Sequence, residues 1–118
     1  MIIFEFDDYK NFVNTRIIAL PRKGRGEYQK IAEYLRVHAT LISQIFKGPR
    51  ELTLEQACEL STYLSLNALE TDYFITLVEF RRAGSLKLKE ILERRILSIK
   101  SSFEPKSTKF PIESVLIP

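Results

Sequence analysis

Apolar residues along this chain recur at steps of three and four, and almost never alternate. That spacing lines up one face of a helix, whereas a half-buried strand needs a period of two. Tyr9, Phe12, Val13, Ile17 and Leu20 make the first stripe, with Asp7 or Asp8 available as its cap. Pro21 and the run RKGRG then close the helix with a basic loop. Tyr28, Ile31, Ala32 and Leu35 form a second stripe, and Leu41, Ile42, Ile45 and Phe46 a third, stopped by Gly48-Pro49. Thr53-Leu-Glu-Gln56 reads as a capping box, opening a helix with Ala57, Leu60, Ser61 and Leu64 inward. Asn67-Ala-Leu-Glu70 reads as another helix start. The helix after it carries Leu69, Tyr73, Phe74, Leu77, Val78 and Phe80, apolar on more than one side and therefore central. A sixth helix follows Ala83-Gly84-Ser85, with Leu88, Ile91, Leu92, Ile96 and Ile99 on one side and a Glu90–Arg94 surface pair. From Ser101 the run SSFEPKSTKFPIESVLIP, with three prolines, predicts an extended tail whose end is a short strand or an apolar arm.

The expectation is an all-α fold of five or six helices. Its parts are a domain over residues 1–84, an additional helix over 85–100 that is a candidate for dimerisation, and a Pro-containing tail over 101–118. With 118 residues and 45% apolar content, the chain suits one core plus a tail.

Charge adds a direction to this picture. Residues 22–50 hold seven Lys and Arg against two acids, residues 51–80 hold six acids and no Lys or Arg, and residues 81–118 hold nine bases against four acids. Sign asymmetry of this kind predicts a basic face for a polyanion and an acidic face elsewhere, although solvated helix faces would carry the same runs. The single Cys58 excludes an intramolecular disulfide and fits a reducing compartment. Beside Ala57, it reads as a buried structural thiol. The start MIIFEFDDYK is acidic where a signal peptide is basic, and no apolar run reaches the roughly 18 residues of a membrane span. A soluble, cytoplasmic protein is expected.

Chemistry is sparse. One His and four Gly leave no acid–base pair, no Ser/His/Asp set and no phosphate-cradling loop, so neither an enzyme nor a cofactor is expected. Glu55, Glu59, Glu70 and Asp72 lack companions at metal-coordinating spacing and read as a solvated acidic surface.

The stretch YQKIAEYLRVHATLISQIFKG, residues 28–48, is different. Two short amphipathic runs meet at Val37-His38 with neither Pro nor Gly between them. Ile31, Ala32, Leu35, Val37, Ile42, Ile45 and Phe46 resemble the buried positions of the Cro/repressor (XRE-like) helix-turn-helix, with the small Ala32 where the two helices cross. Where that family usually has a glycine with positive φ, this chain has Arg36, at a cost on the order of 1 kcal/mol. Across residues 3–84, IFEFDDYKNFV, KGPRELT and LETDYFITLVEFRRA resemble the amino-terminal part of a group of bacterial transcriptional regulators. Those proteins continue into a further carboxy-terminal domain, so by this resemblance the chain is the DNA-binding half, in a lambda-repressor-like fold.

The resemblance implies a mode of contact. The second helix of the motif would lie in the major groove of double-stranded DNA, with His38, Ala39, Thr40, Ser43 and Gln44 facing base edges. Gln44 can pair with an adenine edge, and Thr40 and Ser43 offer hydroxyls. His38 has only its position to recommend it, since a lone histidine at a turn is usually just solvated. Arg22, Lys23, Arg25, Gln29, Lys30, Arg36, Lys47 and Arg50 would meet phosphates, which gives salt-dependent affinity without sequence discrimination. Tight specific binding by so small a module predicts a homodimer. Two readings compete: a protein-interaction module docking a basic partner on the acidic run 51–80, and a structural oligomer built on the sixth helix. The basic set around the motif discriminates, because a pure interaction module has no need of it.

Overall fold

The Asp8 side chain accepts the Asn11 backbone N–H at 3.0 Å and so starts the first helix, one of the two caps expected. In this computed structural model, which describes residues 2–103, six α-helices follow in order. They are α1 (Tyr9–Ile18), α2 (Glu27–Leu35), α3 (Ala39–Phe46), α4 (Leu54–Tyr63), α5 (Ala68–Arg82) and α6 (Leu86–Phe103). Short 3-10 turns at Ile3–Glu5 and Pro21–Gly24 flank α1. There is no strand among the described residues, and the fold is all-α. Both expected capping boxes form: Thr53 with Gln56 opens α4, and Asn67 with Glu70 opens α5.

α5 is the hub. It packs against α1, α4, α6 and the turn Ile3–Glu5, while α2 packs on α3 and α4. Tyr73, Phe74, Leu77 and Val78 are fully enclosed on its inner sides. The Phe74 ring meets Tyr9 and Phe12 edge-on at 5.9 and 6.3 Å, and Tyr9 meets Phe46 edge-on at 6.1 Å. These edge-to-face pairs set the positive ring rim against the negative ring face, and so fix α1 to both α5 and α3.

Several expectations need correction. Leu20 is exposed rather than buried, because α1 ends at Ile18 and Pro21 holds its predecessor in extended backbone (φ −75°, ψ 161°). Cys58 is exposed, not a core thiol. The buried stripe of α4 is Ala57, Leu60, Ser61 and Leu64, and the residue after Ala57 turns about 100° away from it. On α6 only Leu92 and Ile96 are buried, with Ile99 half-buried and Leu88 and Ile91 exposed. The ion pairs of that helix among the described residues join Arg95 to Glu79 of α5 at 3.8 Å and Lys100 to Asp7, in place of Glu90 with Arg94. α6 also runs to Phe103, past the expected boundary at residue 100. Helical N–H groups bond backwards along the chain, so the prolines from 105 onward take no donor from Ser101, Ser102 or Phe103. The rest of the expected tail, residues 104–118, lies outside the described residues.

One packing element had no signal in the helical pattern. Ile3 and Phe4 are buried, and Phe4 stacks on Phe103 at 4.4 Å and meets Tyr73 edge-on at 5.1 Å. Lys100 reaches Asp7 at 3.0 Å beside them. The start of the chain and the end of α6 are thereby held together over α5.

Candidate nucleic-acid interface

α2 stops at a cap whose bonding pattern explains the abrupt change of direction. The Arg36 N–H donates to the Glu33 carbonyl and the Val37 N–H to the Ala32 carbonyl, at 3.3 and 3.0 Å. This is a Schellman closure, which requires left-handed backbone at its central residue. Arg36 supplies it at φ 61°, ψ 45°, the conformation expected of a turn residue that is usually glycine. Val37 then packs against the core, and His38 (φ −75°, ψ 145°) offers its carbonyl to the N–H groups of Leu41 and Ile42 to begin α3. Ala32, 1% exposed, sits within the core beside Ile31 and Ile42. A larger side chain there would separate elements that are in contact.

α3 divides cleanly by face. Ile42, Ile45 and Phe46 are buried and Leu41 is half-buried. His38, Thr40, Gln44 and Lys47 are exposed, while Ala39 and Ser43 are half-buried at the edge of that row. Of the side chains expected to meet bases, His38, Thr40 and Gln44 are thus together on the outward side, Ser43 is half-buried, and Ala39 packs against the core.

The basic set surrounds it. Arg22, Lys23, Arg25, Lys30, Arg36, Lys47 and Arg50 are all exposed, and none takes part in an ion pair among the described residues. Gln29 is exposed too, with a long contact to Glu33 at 3.4 Å. Arg22 and Lys23 share left-handed backbone (φ 59° and 56°) with Gly24 and Gly26, so the loop turns tightly and projects its charges outward. By contrast, four cations outside this set do have carboxylate partners: Lys10, Arg81, Arg95 and Lys100.

Part of the acidic run is spent inside the molecule. Glu70 caps α5, Glu79 pairs with Arg95, and Glu51 joins Tyr9, Lys10 and Arg81. Glu55, Glu59 and Asp72 remain exposed.

The residues that fix α3 were not apparent from periodicity. Lys10, 7% exposed, donates to the carbonyls of Gly48 and Arg50 at 3.0 and 2.7 Å. One turn along, Asn14 donates to the Phe46 carbonyl at 2.8 Å and accepts the Tyr28 hydroxyl at 2.7 Å. The Tyr9 hydroxyl donates to Glu51 at 2.8 Å and accepts the buried Leu52 N–H at 3.1 Å. Arg81 bridges Glu51 and Asp8 at 3.2 and 2.9 Å. A polar edge of α1 therefore closes the carbonyl end of α3 and aligns the chain leaving it. The available signal was the i, i+4 pair Lys10 and Asn14, two polar residues interleaved with Tyr9, Phe12 and Val13.

Charge and burial act on the same cluster. Burial works to raise the Glu51 carboxyl, but the Tyr9 hydroxyl, Arg81 and Lys10 outweigh it and hold it below the usual value. Burial pushes the Tyr9 hydroxyl up, so it stays a donor throughout the physiological range. The Tyr63 hydroxyl, which donates to Glu27 at 2.7 Å and ties α2 to α4, is pushed up to about 12 by burial and then by Glu27.

Among the described residues, no helix is long and apolar enough to cross a membrane, and no group of three or more His, Cys, Asp or Glu is placed to hold a metal ion. No family model, curated protein or solved structure matches the chain.

Proposed function

We propose that this protein binds double-stranded DNA as a sequence-specific transcriptional regulator, with α3 entering the major groove in the manner of a lambda-repressor-like domain. One observation carries the reading. Seven exposed Lys and Arg without ion-pair partners among the described residues flank a short helix whose outward residues are polar and whose inward residues are core. Uncompensated cations repel one another, and a polyanion relieves that repulsion while releasing its own counterions. In this reading His38, Ala39, Thr40, Ser43 and Gln44 meet base edges, and Arg22, Lys23, Arg25, Gln29, Lys30, Arg36, Lys47 and Arg50 meet phosphates. The protein works in the cytoplasm as a homodimer, because one module of this size buries too little surface for tight binding.

The exposed Glu55, Glu59 and Asp72 favour a second reading, in which the domain docks a basic protein without DNA. Three other acids of that run have internal partners, which weakens it.

Fluorescence anisotropy with a mixed-sequence duplex across a salt series tests the proposal. Affinity should fall linearly in log–log salt, and replacing Arg22, Lys23 and Arg25 by Ala should make the slope shallower by about two to three. A folded protein that binds no duplex at low salt would overturn the DNA reading in favour of the docking module.

A further inference from the structure

Beside the basic loop, between α1 and α2, lies a cavity of about 580 Å³. Ile17, Ile18 and the Tyr28 ring give it apolar walls, and Lys23, Arg25 and Lys47 stand at its rim. Among the described residues no carboxylate lines it. Lys47 holds its Nζ 5.4 Å from the centre of the Tyr28 ring. The polar groups in its wall are already matched, since Tyr28 donates to Asn14 and Asn14 to the Phe46 carbonyl. What remains for an occupant is apolar surface under three cations.

Phosphate contact alone does not call for such walls. A DNA backbone needs cations and N–H groups, yet here Ile18 is 61% exposed into the space those cations border. The loop is laid firmly against α1: at Gly24 (φ 73°) an added methyl group would run into the side chain and carbonyl of Ile17. The rim is therefore held close to the walls by backbone contact. The volume lies within the roughly 300–1,000 Å³ of small-molecule sites, which pair apolar walls with a few placed polar groups.

We propose that this cavity binds a small amphipathic anion, with its apolar body against Ile17, Ile18 and Tyr28 and its charged head among Lys23, Arg25 and Lys47. The same three cations belong to the proposed phosphate contacts, so a bound anion lowers affinity for DNA. This regulatory half rests on the DNA reading, whereas the binding half does not.

The test uses octanoate as the anion, 1-octanol as its uncharged counterpart and inorganic phosphate as a head without a body, followed by amide NMR spectra of the full chain. Octanoate should shift the Ile17, Ile18, Gly24 and Gly26 amides saturably, while octanol binds at least tenfold more weakly and phosphate leaves them in place. Ile18→Ser, at a position outside the core, should weaken octanoate roughly fivefold or more by removing apolar contact. Lys47→Gln should weaken octanoate but not octanol. Absence of saturable shifts, or equal binding of octanol, or phosphate alone reproducing the shifts, would each overturn the site. Saturating octanoate should also raise the dissociation constant of the duplex. If DNA binds and ignores bound octanoate, the regulatory half fails. If octanoate binds and the folded chain binds no DNA, the DNA reading fails and the site stands.

Discussion

Replacing Arg36 by glycine should move stability and DNA affinity in opposite directions. Arg36 sits in left-handed backbone (φ 61°, ψ 45°) to close α2. For an L-residue this conformation costs roughly 1–2 kcal/mol, through the approach of Cβ to the following carbonyl. Glycine removes that cost but adds freedom to the unfolded chain, a penalty of about 0.5–1 kcal/mol. No ion pair is lost, since the Arg36 side chain is exposed and has no carboxylate partner among the described residues. The expected result is a gain of about 0.5–1 kcal/mol, read as a higher urea midpoint at unchanged m by far-ultraviolet circular dichroism. In the anisotropy titration the same variant should weaken duplex binding and make the salt slope shallower by about one, as one phosphate contact is removed. Arg36→Ala separates the two effects: it keeps the left-handed strain and loses the charge, so its slope should fall without the gain in stability. A glycine variant no more stable than the alanine variant would refute the account of the turn. Unchanged salt slopes in both would refute Arg36 as a phosphate contact.

Other consequences can be checked with the same protein. Tyr9→Phe leaves the buried Leu52 N–H without its acceptor and removes one of the donors to Glu51, whose other oxygen keeps Arg81, which should destabilise the fold by about 2–3 kcal/mol in urea titration. Because Glu51 is held below its ordinary 4.5 in the folded chain, its contribution is present above that value and drains away as pH falls through the lowered one. Acid unfolding of a Glu51→Gln variant should accordingly be less steep below about pH 4.5. The exposed Cys58 should react with a thiol reagent in native buffer at a rate close to that in denaturant; protection of a hundredfold or more would contradict its placement. Leu86 and Leu97 are 81% and 59% exposed on α6, so a Leu86→Ser/Leu97→Ser double variant should elute as a monomer if that helix carries the dimer contact. An unchanged elution volume would move the interface elsewhere.

Helix existence was legible because each helix repeats its apolar side at a fixed angular step, and because two capping boxes and a Gly-Pro stop are local chemistry. Angles within a helix were less legible where a neighbour in sequence was taken for a neighbour in space. Cys58 was placed inside by its adjacency to Ala57, although a single residue step carries a side chain about a quarter-turn away. Leu20 continued a count of three that the backbone had already abandoned for Pro21. Ile3 and Phe4 gave no periodic signal at all. Their burial depends on α5 and on the end of α6, elements about 70 and 100 residues away, and no window along the chain contains both partners.

The outward row of α3 was readable for the same reason as the helices, since exposure follows once the inward positions are set. What holds that row in place was not readable, because Lys10, Asn14, Tyr9 and Arg81 act across 30 to 42 residues of sequence on carbonyls and on one carboxylate. Charge counts by segment were also ambiguous, because they cannot separate an acid that neutralises an internal cation from one that faces water. Coordinates resolve this into two populations. Lys10 and Arg81 share Glu51 at the closed end of α3, where losing either would leave a partly buried carboxylate under-compensated. The cations of residues 22–50 have no such partner among the described residues, so ion pairing there contributes little to the fold. Changes to the first group should therefore appear in unfolding curves, and loss of charge in the second, as in Arg36→Ala, in binding curves. That separation makes the DNA proposal testable with variants that remain folded.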